Sequence, residues 1–284
     1  MDWLDSLNHS LDYIEENLDK EISVKKASEI ACCSEYHYQR MFSFISNISL
    51  GEYIRRRRLT LAAYELQNGN NTVLSVGLKY GYNSPTAFTR AFINMHGITP
   101  SGAKKQGVSL KSYPRISFQI SIKGEEALVY RIEEKEKIRL VGIKETILND
   151  GVYNFQRIPQ IWVESHQNGV VQRIFELSNR NPCGMMGAVT NYTDTTIDYY
   201  IAVSSDREPP DGMAEFIVEK SMWAIFPCIG RHTIQPTWKR IYGEWFPSSG
   251  FEHTGGTEIE WYSEEEPAAE NYLTEIWIPI KKIK

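Results

Sequence analysis

The apolar residues of this chain change their period once, near residue 106, and that switch limits the fold more than any other feature. Before it they recur at three- and four-residue steps, as buried helix faces require. Beyond it, runs that alternate every second residue are interleaved with further helical stretches. A chain holding both patterns is neither a single all-α nor a single all-β domain, and 284 residues are enough for two domains. The expected fold is therefore multidomain: an all-α N-terminal domain over residues 1–106, a linker with a short strand element over 107–127, and an α+β C-terminal domain over 128–284.

Leu4, Leu7, Leu11, Ile14 and Leu18 make one stripe of an amphipathic helix. Ser23, Ser34 and Thr72 stand where N-caps belong, ahead of helices over 24–31, 35–45 and 73–80. A longer helix over 50–66 ends at the polar run 67–71. Ser84-Pro85 opens another that reaches about residue 95, with the proline at a first-turn position where its missing N–H has no partner anyway. After the linker, residues 116–122 alternate like a strand. Then come a strand over 138–147, a helix over 158–177 and strands over 185–192 and 199–204. That order recurs as strand 214–229, helix 235–246 and strands 258–262 and 272–280. Pro159-Gln160-Ile161-Trp162 resembles Gln235-Pro236-Thr237-Trp238, so the second domain is expected to use a β-α-β-β unit twice.

Charge follows the same division. The net value of -5 combines six acids and no base in residues 1–19, a net +9 over 20–115, and a net -8 over 116–284. A basic block between acidic ones suits a DNA-facing module joined to one that faces something else. Six of the seven tryptophans (all but Trp3) follow residue 160. The acidic, amphipathic N-terminus is unlike a secretory leader, and no window has the roughly 18 apolar residues of a membrane helix. Cys32, Cys33, Cys183 and Cys228 form no CxxC pair and have no histidine at finger spacing. The expectation is a reduced, cytoplasmic protein with no cofactor, no metal and no membrane partner.

Residues 24–45 and 73–95 repeat one pattern of short helix, tight turn and a helix bearing aromatic and basic residues, the spacing of helix-turn-helix motifs. Their strings, Ser34-Glu35-Tyr36-His37-Tyr38-Gln39-Arg40-Met41-Phe42, Ser49-Leu50-Gly51-Glu52-Tyr53-Ile54-Arg55-Arg56-Arg57-Arg58-Leu59, Gly81-Tyr82-Asn83-Ser84-Pro85-Thr86-Ala87-Phe88-Thr89-Arg90-Ala91-Phe92 and Gly97-Ile98-Thr99-Pro100-Ser101, resemble the AraC/XylS family of bacterial transcription regulators. The resemblance implies two recognition helices in successive major grooves of double-stranded promoter DNA. By position it exposes Glu35, Tyr36, Gln39 and Arg40 on the first, and Pro85, Thr86, Thr89 and Arg90 on the second. Arginine and glutamine can pair bidentately with base edges, while Arg55 and Arg57 on the connecting helix would neutralise phosphate. Arg40 reads either as a base contact or as a structural salt-bridge partner. Met41, Phe42, Phe88 and Phe92 belong to the core. Two positions depart from the family: Cys32 stands where glycine is usual in the first turn, and Gly77 where alanine is common.

The second half is similar to the GyrI-like domain of Rob-type regulators, on Trp238-Lys239-Arg240-Ile241-Tyr242-Gly243-Glu244-Trp245-Phe246-Pro247-Ser248-Ser249-Gly250-Phe251, Glu258-Ile259-Glu260-Trp261-Tyr262 and Glu275-Ile276-Trp277-Ile278-Pro279-Ile280. That resemblance implies a pocket between the two repeats for a lipophilic, often cationic, small-molecule effector. A carboxylate among aromatic rings is the chemistry such a ligand requires. Glu260 is the first candidate and Glu275 the second, with Trp162, Trp223, Trp238, Tyr153 and Tyr262 as aromatic candidates. Strand alternation sets Glu258, Glu260 and Tyr262 on one face and Ile259 and Trp261 on the other. If the Glu260 face looked outward, its acids would be solvated and Trp261 would be core.

The function these residues support is a sequence-specific DNA-binding transcription regulator with an effector domain, and RNA polymerase as a further partner. The alternatives are a GyrI-like domain that hydrolyses a small molecule or one that binds a protein. Against an enzyme, the chain has no GxSxG, no P-loop and no metal-ligand cluster, and His166, His232 and His253 are scattered, so no catalytic residue is assigned.

Overall fold

A computed structural model describes residues 3–118, 127–149, 151–193, 195–230, 233–264 and 272–283, apart from the side chains of 151–153 and 155. The chain divides into two compact units, Met1–Tyr38 with Leu50–Ile122, and Gln39–Ser49 with Lys123–Lys284. Among the described residues no helix is long and apolar enough to cross a membrane.

The first unit is helical: α1 (Trp3–Glu16), α2 (Val24–Ile30), the start of α3 (Glu35–Ser46), α4 (Leu50–Asn68), α5 (Val73–Lys79), α6 (Pro85–His96) and the single turn α7 (Pro100–Ala103). The α1 stripe is buried at Leu7, Leu11 and Ile14. Ser23, Thr72 and Ser84 accept from the backbone N–H groups of Lys26, Ser75 and Ala87, satisfying helix-start donors that otherwise lack partners. One core joins Leu59, Ala62, Ala63 and Leu66 of α4 to Val76 of α5 and Phe88 and Phe92 of α6.

Both departures from the family pattern have a local physical reading. Cys32 has a φ of 56°, so the α2–α3 turn is left-handed, at a cost of about 1 kcal/mol that glycine would avoid. At Gly77 an added Cβ would lie 3.1 Å from the Phe88 ring. Glycine there lets α5 close on α6, which offsets its helix penalty.

The arginine run serves the fold more than its sequence suggests. Arg57 forks onto Glu15 at 2.9 and 2.7 Å and donates to the Tyr113 carbonyl at 2.7 Å. Arg58 donates to the carbonyls of Leu18 and Lys20. These bonds bolt α1 and the chain after it to α4: the fork of Arg57, expected at phosphate, holds the Glu15 carboxylate. Arg55 is exposed and pairs with Glu52 one turn earlier. Of the expected strand over 116–122, residues 116–118 form none, and 119–122 lie outside the described residues. Phe118 instead exchanges both backbone bonds with the Asn8 side chain, at 2.9 and 3.0 Å.

Among the described residues, the second unit is built on a nine-stranded antiparallel sheet. Its strands are β1 (Arg131–Lys135), β2 (Ile138–Leu148), β3 (Met185–Thr190), β4 (Thr196–Ser204), β5 (Ala214–Val218), β6 (Ser221–Ile229), β7 (Phe251–His253), β8 (Glu258–Tyr262) and β9 (Leu273–Lys282). The order is β1-β6-β9-β8-β3-β4-β2-β5, with β7 added on β9. The duplication is visible in this order: β2-β4-β3 on one side mirrors β6-β9-β8 on the other, and the halves join through β3 and β8. Helix α8 (Gly151–Gln167) follows β2 as α10 (Ile234–Arg240) follows β6.

The helix expected over 158–177 is two helices, because Gly169 takes a left-handed φ of 72° and separates α8 from α9 (Val170–Phe175). The strand expected over 214–229 is likewise two, β5 and β6. The helix expected over 235–246 passes from α10 through a π-helical turn, Ile241–Trp245, into α11 (Phe246–Ser249).

Candidate functional site

Within the second unit a cavity of about 310 Å³ opens between the helices and one face of the sheet. Its floor is β3, β4 and β8, represented by Gly187, Tyr199, Glu258, Glu260 and Tyr262. Trp162 of α8 and Trp238 of α10 stand on two sides, and Arg40 and Phe44 of α3, from the Gln39–Ser49 segment of this unit, complete the lining. The helices face each other because the duplicated units are joined back to back, so Trp162 and Trp238, equivalent in the repeat, meet at one site.

Strand alternation arranges the acids. Glu258, Glu260 and Tyr262 all line the cavity, and β8 pairs Glu260 with Gly187 of β3. A Cβ at Gly187 would collide with the Tyr199 hydroxyl, so the glycine keeps the floor open in front of Glu260. The Glu260 carboxylate accepts from Trp238 Nε1 at 2.7 Å and from the Tyr262 hydroxyl at 2.8 Å. Trp162 stands edge-on to Tyr262, with ring centres 5.1 Å apart, and donates Nε1–H to the Tyr199 hydroxyl at 2.6 Å. Burial, the dominant cause, pushes the Glu260 carboxyl above its ordinary range against the pull of these two donors. Tyr199 and Tyr262 are pushed well above the usual phenol value by burial and the Glu260 charge, so both stay neutral, Tyr262 donating to Glu260 and Tyr199 accepting from Trp162.

Glu258 sits two residues away in a different environment. It is buried, and it accepts from Tyr192 at 2.7 Å, from Tyr242 at 2.9 Å and from the Arg40 guanidinium through Nε at 3.0 Å, with Nη2 on its other oxygen. Phe44 and Tyr192 lie 4.7 and 4.9 Å from the guanidinium carbon. Phe44 is also stacked against both Trp238 and Tyr242, with centres 5.0 and 4.7 Å away. His253 Nδ1 accepts from the Gly255 N–H, so the neutral ring carries its proton on Nε2, 3.3 Å from Glu258; burial holds the His253 pKa below its usual value. Burial would raise the Glu258 carboxyl, but the charge of Arg40 and the His253 bond outweigh it and hold the group at about 2.

The sequence candidates separate accordingly. Glu260, Trp162, Trp238 and Tyr262 converge on the cavity. Trp223 does not: it is buried in a different cluster with Ile225, Ile259 and Trp277. Glu275 is also elsewhere, clamped by Arg131 at 2.8 and 3.0 Å and by Trp277 Nε1 at 2.7 Å. The Tyr153 side chain, like His232, lies outside the described residues. Glu258, Tyr199, Tyr192 and Phe44 were missed. Alternation alone could have added Glu258, since it shares the face of Glu260. Arg40 turns out to be the salt-bridge partner, the second of its two readings.

On the helix-turn-helix elements, Glu35, Thr86 and Arg90 are exposed, and Tyr36, Gln39 and Thr89 are half-buried. Pro85, Thr86, Thr89, Arg90, Ile93 and Asn94 line a shallow depression along α6.

Comparison with known proteins agrees with this division. The sequence profile of the GyrI-like small molecule binding domain matches residues 129–281, and that of a helix-turn-helix domain matches 27–106. The chain is similar to the multiple antibiotic resistance protein MarA of Escherichia coli strain K12, 38% identical over 95 residues that make up 34% of this chain and 75% of MarA. It is similar to the HTH-type transcriptional activator AarP of Providencia stuartii, 39% identical over 95 residues, 34% of this chain and 70% of AarP. Among solved structures it shares the fold of SAV2435 bound to tetraphenylphosphonium, with a TM-score of 0.51 and 24% identity over 54% of this chain and 94% of that one.

Proposed function

We propose, from the premise that the chain belongs to the GyrI-like small-molecule-binding family and carries an AraC-type helix-turn-helix DNA-binding domain, that this transcription regulator senses a lipophilic cation. One observation carries the proposal: Glu260 stands in an aromatic cavity with only the neutral donors Trp238 and Tyr262 bonded to it among the described residues. Burying a carboxylate without a counter-charge is unfavourable, and a cation entering between Trp162, Trp238 and Tyr262 supplies both the missing charge and ring contacts of about 0.5–2 kcal/mol each. The solved relative with tetraphenylphosphonium bound supports the same ligand class.

Purified protein titrated with tetraphenylphosphonium, followed by tryptophan fluorescence, should bind saturably. Glu260→Gln should weaken binding by more than about tenfold, roughly 1.4 kcal/mol. Mass spectrometry should return the compound intact. Equal affinity in the variant would sink the role of Glu260, and recovered product would move the domain into the enzyme class.

For the DNA-binding half, the proposed base-facing residues are Thr86, Thr89 and Arg90 on α6, with Glu35, Tyr36 and Gln39 on α3 and Arg55 at phosphate. Arg90→Ala is expected to reduce affinity for a selected operator by about 1–3 kcal/mol, measured by fluorescence anisotropy, with little change in non-specific binding. Unchanged operator affinity would remove Arg90 from the set. AarP, a transcriptional activator by name, supports RNA polymerase as the partner through which the signal leaves.

A further inference from the structure

The cavity contains two subsites that each set a carboxylate among aromatic rings, one of them already filled by the protein. At Glu258 a carboxylate and two ring faces, Phe44 and Tyr192, hold the guanidinium of Arg40. At Glu260 a carboxylate and the rings of Trp238, Tyr262 and Trp162 hold no basic side chain among the described residues. The two acids alternate on β8, so their Cα atoms lie about 7 Å apart on one face.

We propose that Arg40 is the charge-setting residue of the effector site: it neutralises Glu258 from within the chain and leaves the cavity with one uncompensated acid, which selects ligands carrying a single positive charge. This rests on the reading of Glu260 as the cation's counter-charge and deepens it. A second positive group reaching towards Glu258 meets the Arg40 guanidinium, whose fork and ring contacts it would have to displace, and like charges at such separations repel strongly away from bulk water. Arg40 therefore discriminates by repulsion, while Glu260 discriminates by attraction.

Two probes test this: tetraphenylphosphonium, with one charge, and an aromatic bis-quaternary ammonium with its charges about 7 Å apart. The readout is the ratio of their affinities, from fluorescence titrations of the full chain. Wild type should favour the monocation. Arg40→Gln should shift the ratio towards the dication by roughly tenfold or more, and Arg40→Lys, which keeps the charge, by less than roughly threefold. Arg40→Gln combined with Glu258→Gln should restore the wild-type preference, since the site again carries one acid, and it removes the unpaired charge if the single variant folds poorly. An unmoved ratio in Arg40→Gln, an equal shift in Arg40→Lys, or a double variant that fails to return overturns the proposal while leaving Glu260's role standing. Absence of any cation binding by wild type overturns both readings together.

Discussion

Glu258→Ala is expected to lower the unfolding free energy by about 3–5 kcal/mol, the range for breaking one side of a buried ion pair. The carboxylate has a side-chain exposure of 1%, against 16% for Arg40. Its removal strands the guanidinium and takes the acceptor from the Tyr192 and Tyr242 hydroxyls at once. Glu258→Gln keeps the shape and one acceptor oxygen, so it should cost less. The sign of the pH dependence follows from the carboxyl being held at about 2, below its ordinary 4.5. A depressed carboxyl contributes stability that is complete above about pH 4.5 and is lost as pH falls towards 2. The gap in stability between wild type and Glu258→Gln should therefore shrink through that window. His253, held neutral by burial, acts in the same sense from about pH 6.5 downwards. Urea unfolding followed by tryptophan fluorescence at about pH 7 and pH 3 measures both effects. A loss under about 1 kcal/mol for Glu258→Ala would show the ion pair to be a surface contact in energetic terms.

How much of this was readable from the sequence depended on whether the determining contacts were local. The helix starts at Ser23, Thr72 and Ser84 were, because a cap bonds three residues ahead. The left-handed turn at Cys32 was flagged by the glycine expected there. Edges of the β region were less legible. β4 is buried from Ile197 to Ser204 without alternation, so its start was placed three residues late, and β1 (RIEEK) has almost no apolar signal. The β5–β6 break rests on Glu219 and Lys220, two charged residues inside an otherwise strand-like run.

The site divides in the same way. Period-two alternation gathered Glu260 with Glu258 and Tyr262, and the internal repeat gathered Trp162 with Trp238. Trp223 and Trp238 have the same chemistry but opposite fates: Trp238, on α10, lines the cavity, whereas Trp223, on β6, is packed with Ile225, Ile259 and Trp277. Arg40 and Glu258 are 218 positions apart, and Arg57 and Glu15 are 42 apart. No window of sequence encodes either meeting. Both arginines were placed by their position in the family resemblance, and their positive charge promises an anion without saying whether it is phosphate or a carboxylate of the same chain.

The affinity for a permanent cation should rise with pH and then level off, with Glu260 setting the bend. Burial holds its carboxyl above the ordinary range in the empty cavity, so in mildly acid solution part of the protein carries a proton there. A cation binds the carboxylate form, and below the raised value each unit of pH must then change affinity by up to about tenfold, the equivalent of about 1.4 kcal/mol of proton release. Above it the carboxylate is already formed and affinity is flat. Of the other groups around the cavity, Glu258 is held at about 2, Tyr199 and Tyr262 are raised well above 10, and burial pushes the Cys228 thiol up to about 11. His253, held below its usual value beside Glu258, is present in wild type and Glu260→Gln alike, so the difference between the two curves belongs to Glu260. Tetraphenylphosphonium keeps its charge at every pH, so its titration from about pH 4.5 to pH 7.5 isolates the protein's own proton. Glu260→Gln should flatten the curve, and a neutral isostere of the cation should give no rise. A wild-type affinity independent of pH, or a slope that survives in Glu260→Gln, would mean that the counter-charge lies elsewhere in the cavity.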